Sequence, residues 1–220
     1  MSTAGQAIVI PEKRAQHSDK RGAILDAFEH CIASTGFHRT TMQDVAQALG
    51  MSVGNLYRYF DSKEALVSGL VERDRERLRA DFDVTAESKD VMGALRQLGR
   101  KHFVEEPRER AMQIVQIWAE AMSSPKVAKM CIGIEHECAA QLHRVLDQAK
   151  AAGEIQPLID TYKIVSVMMA LGDGMTQRRA LDPDFDAEAG FELLFSVLDI
   201  LLRTPDLTGS ADPSDHTTSR

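Results

Sequence analysis

Apolar residues recur with a helical period along almost the whole of this 220-residue chain. Ile24, Leu25, Phe28, Cys31 and Ile32 fall at i, i+3/i+4 and i+7 spacing, which predicts a helix from about Asp19 to Ser34, stopped by Gly36. Three more are predicted at about 41–48, 52–59 and 62–79, and the charged half of the last, Glu72 to Arg79, reads as a solvated connector. Helices over about 88–105, 107–122 and from Pro125 to near Gly153 follow, with Pro107 and Pro125 suited to the first helical position. The last two, about 159–180 and 186–203, flank Leu181-Asp-Pro-Asp184. The fold class is all-α, with about nine helices.

The ends break the pattern. Residues 1–17 are small and polar around a short apolar patch and read as a flexible arm, while 206–220 have the composition of a disordered tail. The last two helices are unusually apolar: Met168, Phe191, Leu194, Phe195 and Leu198 are expected to need cover, for which a second subunit is the natural source.

Composition supports the pattern and removes some classes. Hydrophobic residues are 44% of the chain and aromatics only 5%, with ten Met, which favours helices over a sandwich or barrel. No apolar run approaches the ~18 residues needed to span a bilayer. Three cysteines, an odd and sparse count, fit a reducing compartment, so a cytoplasmic protein with no membrane partner is expected. The net charge is −7, yet seven Lys/Arg and seven acids balance through Glu64, so the remainder carries the excess. A neutral module on an acidic body is compatible with one small basic face.

The informative stretch lies in that neutral part. Thr41 can cap a helix whose third residue is Asp44, Gly50 allows a sharp turn, and Ser52 caps the next helix. Val45, Ala46 and Leu49, then Val53, Leu56 and Phe60, give the two helices facing apolar sides. This is what a helix-turn-helix requires, and an ordinary αα corner is the bland alternative. Asn55 and Arg58 can donate to base edges, while Tyr57, Tyr59 and Lys63 suit phosphates.

The residues Arg21, Ile24-Leu25, Ala27-Phe28, Gly36, Thr40-Thr41, Asp44-Val45-Ala46, Leu49-Gly50-Met51-Ser52, Gly54-Asn55-Leu56-Tyr57-Arg58-Tyr59-Phe60 and Ser62 to Leu66 resemble the DNA-binding domain of TetR-type transcriptional regulators. The resemblance implies a three-helix DNA-binding domain over 18–78 and a larger helical ligand-binding and dimerisation domain over 79–205. It also implies a regulator, expected to be a repressor, whose partners are double-stranded operator DNA, a second copy of the chain and a small-molecule inducer. By family position Thr40 and Thr41 touch phosphate; Val53, Gly54, Asn55 and Arg58 face bases; Tyr57, Tyr59 and Lys63 grip the backbone. Arg58 has two open readings, base readout and phosphate contact. Trp118-Ala-Glu-Ala121, Ser124-Pro125, Gly153-Glu-Ile155 and Asp173-Gly174 resemble, more faintly, the ligand domain of the branch with choline-responsive and multidrug-responsive members.

Lesser signals remain. Met112, Val115, Trp118, Ala119 and Met122 share one helical stripe, either core or the wall of a pocket for a hydrophobic or cationic molecule. Phe103, Cys138, Met168 and Met169 are further pocket candidates, with Glu120 and Asp173 as counter-charges. Cys131 and Cys138 stand about 10 Å apart along one helix, beyond disulfide reach, and His136 and His143 are two turns apart, so no metal site is expected. No phosphate-cradling glycine loop, nucleophile elbow or His-Glu-x-x-His motif is present, and no catalytic residue or cofactor is expected. An all-α enzyme and a ligand-independent DNA-packaging protein are the alternatives.

Overall fold

Residues 11–202 are described by the computed structural model, so the tail from 206 and the first ten residues of the expected arm fall outside them. Among the described residues there are nine α-helices and no strand: α1 (Pro11–Thr35), α2 (Met42–Ala48), α3 (Val53–Leu56), α4 (Lys63–Ala86), α5 (Val91–Arg100), α6 (Arg108–Ala121), α7 (Pro125–Ala151), α8 (Thr161–Leu181) and α9 (Ala187–Leu202). A π-helical turn, Lys101–Glu105, follows α5 directly.

Starts are written locally. Ser52, Ser62, Asp90, Ser124 and Asp160 each accept a backbone N–H in the first turn of α3, α4, α5, α7 and α8. Thr41 and Asp44 form a reciprocal capping box on α2, and these hydrogen bonds hold the Asp44 carboxyl below its ordinary value. Gly50, at φ 62°, supplies the left-handed turn between α2 and α3. Two expectations are corrected. Helix α1 starts at Pro11, inside the segment read as an arm, with proline at the first helical position. The helix expected over 88–105 is α5 plus the π turn, where Glu106 N donates to Lys101 O at 3.0 Å.

Apolar side chains gather in two clusters. The first joins α1 to α4 through Ile24, Phe28, Ile32, Val45, Leu56, Phe60, Leu66 and Leu70, with Ile117 of α6 and Val127 of α7 added. The second joins α5, α7, α8 and α9 through Leu95, Leu142, Leu146, Ile164, Phe191, Leu198 and Leu202. Phe82 of α4 belongs to the second cluster, so this one helix serves both and runs unbroken past residue 78. Each fully buried Leu, Ile or Phe here contributes ~1.5–3 kcal/mol.

Arginines bind the second half together. Arg179 Nη1 donates to Phe103 O at 3.1 Å and Nη2 to Val104 O at 3.0 Å, taking up carbonyls at the π turn. Arg108 crosses the other way, donating to Arg179 O at 2.9 Å and Ala180 O at 2.6 Å. The start of α6 is thereby fixed to the end of α8.

Candidate functional site

Two regions carry function, an exposed helix in the N-terminal module and a cavity behind it. In the module, Leu56 and Phe60 are buried and hold α3 against the core, leaving Gly54, Tyr57 and Arg58 exposed. Tyr57 is 50% exposed, as a residue offered to a partner must be. Asn55 is half-buried and donates its backbone N–H to Ser52 Oγ. Val53 and Tyr59 are also half-buried and pack on the core, so each has only part of its side chain to offer. Arg21 Nη1 donates to Tyr59 O at 2.6 Å and stacks 4.1 Å over the Phe60 ring, which fixes the end of α3 from α1.

The proposed phosphate contacts divide. Thr41 is exposed at the head of α2. Thr40 is corrected: it is 1% exposed, and its hydroxyl donates to Gly36 O at 2.9 Å, so it closes the α1–α2 turn and has no surface for DNA. Lys63 is half-buried, its ammonium donating to Phe37 O and lying 4.1 Å over the Phe37 ring. Burial lowers its pKa, against the pull of Glu120 and Glu64. Lys126, at the head of α7, borders one surface groove with Tyr57 and Arg58. It stands 68 residues beyond Arg58 in the chain, outside the motif.

The cavity has two adjoining lobes of about 210 and 270 Å³. The first is apolar, lined by Leu78 and Phe82 of α4, Leu95 and Leu98 of α5, Phe103, and Leu194, Phe195 and Leu198 of α9, with Met168 of α8. The second has a mixed lining in which Asp74, Arg77, Glu106, Arg110 and Glu135 stand with Val71, Ile114, Ile117, Trp118, Cys131 and Ile134. Leu78, His102, Cys138, Met169, Asp173 and Thr176 border both. Burial pushes the Cys138 thiol up to about 11, with Asp173 adding to it, so it stands as a neutral, unreactive group. Burial, then the nearby Glu135, likewise raise Asp173 above its ordinary value.

Of the expected pocket residues, Phe103, Trp118, Cys138, Met168, Met169 and Asp173 therefore meet at the cavity. Met112 and Val115 border neither lobe, Ala119 is exposed, and Met122 is 86% exposed at the end of α6. The cavity face of α6 is Arg110, Ile114, Ile117 and Trp118, at i, i+4, i+7 and i+8, so of the expected stripe Trp118 alone lines it. Glu120 lies outside the cavity, 3.6 Å from His38 of the α1–α2 turn. The expected dimer residues are corrected too. Phe191, Leu194, Phe195 and Leu198 are all under 9% exposed within one chain and Met168 is half-buried at the cavity, because they occupy the inward period of α8 and α9. The exposed, outward apolar residues are Leu193, Val197 and Ile200 on α9 and Val167 on α8.

Helix α6 connects the two regions. Arg110 reaches Glu29 of α1 at 3.2 Å and Asp74 of α4 at 2.6 Å while bordering the cavity. Arg73 meets the same Glu29 at 2.7 Å and Asp26 at 2.6 Å. Further along, Gln113 Nε2 donates to Glu29 O at 3.1 Å, and Gln116 Oε1 accepts from Phe37 N at 2.6 Å. One face of α6 is thus tied to the exposed-helix module and the other forms cavity wall. Among the described residues no three His, Cys, Asp or Glu side chains are placed to hold a metal, and no helix is long and apolar enough to cross a membrane.

Comparison with known proteins agrees with this geometry. The family model described as bacterial regulatory proteins, tetR family, matches residues 24–70, and that of the BetI-type transcriptional repressor C-terminal domain matches residues 92–203. The Escherichia coli K12 transcriptional regulator UidR is 29% identical over 155 residues, covering 70% of this chain and 79% of the relative. The solved structure of Salmonella enterica GusR is 30% identical, covers 84% of this chain and 96% of its own, and superposes with a TM-score of 0.71. A Saccharomonospora viridis transcriptional regulator solved with choline shares the fold at 19% identity, covering 84% of this chain and 98% of that one, with a TM-score of 0.70.

Proposed function

The chain belongs to the tetR family of bacterial regulatory proteins and is a transcriptional regulator rather than an enzyme, and from that premise we propose that it is a ligand-released repressor. In this reading a homodimer binds a palindromic operator and leaves it when a small molecule fills the cavity. The observation that carries the reading is α4, one unbroken helix whose first turn lies beside the exposed helix and whose later residues, Leu78 and Phe82, form cavity wall. The α6 contacts to Glu29 and Phe37 give a second rigid link between the same two regions.

Each proposed partner has its surface. Gly54, Asn55, Tyr57 and Arg58 would enter the major groove, with Arg58 able to donate two hydrogen bonds to one guanine. Thr41 and Lys126 would meet phosphates, and Lys63 would do so on exchanging its bond to Phe37 O. Two such helices must lie about 34–36 Å apart, or a multiple, to reach successive grooves, which calls for a dimer. The outward residues Leu193, Val197, Ile200 and Val167 are the apolar surface from which an isologous interface would be built. A ligand shifts the helix spacing only by binding one spacing better than the other. The α4 and α6 walls are where that preference would be transmitted.

The test begins with selection of bound duplexes from a random pool by the full-length protein. A palindromic consensus, bound by two chains per duplex, is the expected result. Recovery of no preferred sequence would overturn the reading in favour of non-specific packaging.

A further inference from the structure

We propose that the two-lobed cavity takes an amphipathic organic cation, an ammonium group carried on an apolar tail. This rests on the reading of the cavity as the ligand site and decides between the hydrophobic and the cationic class by combining them.

The charge of the lining supports the cation. Four carboxylates border the lobes, Asp74, Glu106, Glu135 and Asp173, against two guanidiniums, Arg77 and Arg110, with His102 beside them. Arg110 is already committed to Asp74 and Glu29, and His102 Nδ1 lies 3.0 Å from Glu106. Among the described residues Arg77 has no carboxylate within ion-pair distance, so its charge is the counterweight and still leaves negative charge in excess. Glu135 and Asp173 likewise have no cation within ion-pair distance among the described residues. Glu135 and Asp173 both keep solvent exposure beside the cavity, and partial burial together with the nearby Glu135 raises the Asp173 pKa. The Oδ1 atom of Asp74, at the same lobe, is buried with no hydrogen-bond partner.

The arrangement of the lobes supports the tail. Asp173 borders both lobes, so an ammonium beside it leaves its substituent adjacent to Leu95, Phe103, Met168, Phe195 and Leu198. Trp118 borders the second lobe, and an indole there adds a surface on which a cation can be held. A neutral apolar molecule would bury the carboxylates without a counter-charge, and an anion would add to their repulsion. A small hydrophilic cation would satisfy the carboxylates and leave the apolar lobe unfilled.

Three probes of equal length separate these cases: decyltrimethylammonium, decanol and decanoate, each below its micellar concentration. Binding to the full-length protein is read by calorimetry and by the emission of Trp118, the one tryptophan of the chain. The cation is expected to bind at least tenfold more tightly than decanol, and decanoate more weakly than either. The double substitution Glu135→Gln and Asp173→Asn should weaken the cation at least tenfold and leave decanol within twofold, which shows the cavity intact. Decanoate equal to the cation, an unchanged cation affinity in the double variant, or no binding by any probe would overturn the proposal. Release of a selected duplex is measured separately. A cation that binds as expected but leaves the duplex in place supports this chemistry and overturns the release function, so the two claims fail apart.

Discussion

Phe28, Ile24, Ile32 and Leu66 are fully buried and close upon one another beneath the DNA-facing helix, whereas Phe195, Leu194 and Leu198, buried almost as deeply, stand on the wall of a cavity. The two cores use the same residue types to different ends. A recognition helix must hold its angle to within what hydrogen bonds to bases tolerate, and a close-packed support provides that stiffness. The rear core gives up dispersion contacts along its lobes, and can adjust around a guest.

The contrast is broken most severely by truncating the solid core. Phe28→Ala should cost ~3–5 kcal/mol in urea unfolding, whereas Phe103→Ala, at the cavity, should cost below about 2 kcal/mol because it only enlarges a space already present. Next come the two faces of α9. Ile200→Asp should split the dimer, a loss of about 2 kcal/mol or more of association in light scattering with the helical circular dichroism kept, while Leu198→Asp should unfold the chain. Arg58→Ala should lose ~1–3 kcal/mol of discrimination at one base pair per half-site. Lys126→Ala should weaken all duplexes alike and lower the salt slope by about one unit, in titrations over a salt series.

Smaller effects sharpen the link between the cores. Glu29→Gln weakens an acceptor shared by Arg73 and Arg110, and should alter the coupling between ligand and DNA by ~1–3 kcal/mol with cavity affinity kept. Affinities for DNA with and without ligand measure it. The smallest change is expected from Asp173→Asn. The raised pKa of Asp173 means that its ionised form opposes folding, a penalty fully present above the raised value and absent below the ordinary one. The variant should therefore be the more stable at neutral pH, with the gain shrinking as pH falls through that window. Urea midpoints across the acid range check the sign.

The sequence made the DNA-facing half legible because its constraints are local. Thr41 and Asp44, Gly50, Ser52 and Ser62 each act within four residues, and each does in the structure what its spacing implies. Pro125 stands at the first position of α7 as expected, whereas Pro107 precedes α6, which begins at Arg108. Inward faces were not legible. Helix α9 carries apolar residues on two sides, so periodicity finds Phe191, Leu194, Phe195 and Leu198 and also Leu193, Val197 and Ile200, and only packing decides which turn inward. Thr40 misled because the neighbouring Thr41 is exposed, and the hydroxyl bond to Gly36 O depends on how the turn closes. The cavity draws on six helices and the π turn, and the side chains that meet there, from Leu78 to Leu198, have no shared spacing. Arg108 and Arg179 could not be paired for the same reason.

The π turn at Lys101–Glu105 holds one residue more than an α-helix of the same rise would need. Loss of a single residue there would let α5 run as ordinary helix into residue 105. The extra residue is accommodated inside the turn, so its loss would leave the helical faces on either side in register and re-aim only the side chains between them. Leu95 and Leu98 would keep their places on the cavity, while Phe103 would leave its place beside Gly172. The Asp90 cap lies outside the turn and would survive, whereas the Arg179 clamp, which takes Phe103 O and Val104 O within the turn, would have to re-form. A one-residue indel in this turn is thus a dial for pocket shape that leaves the recognition surface alone, a route by which descendants of one scaffold could change inducer without changing address.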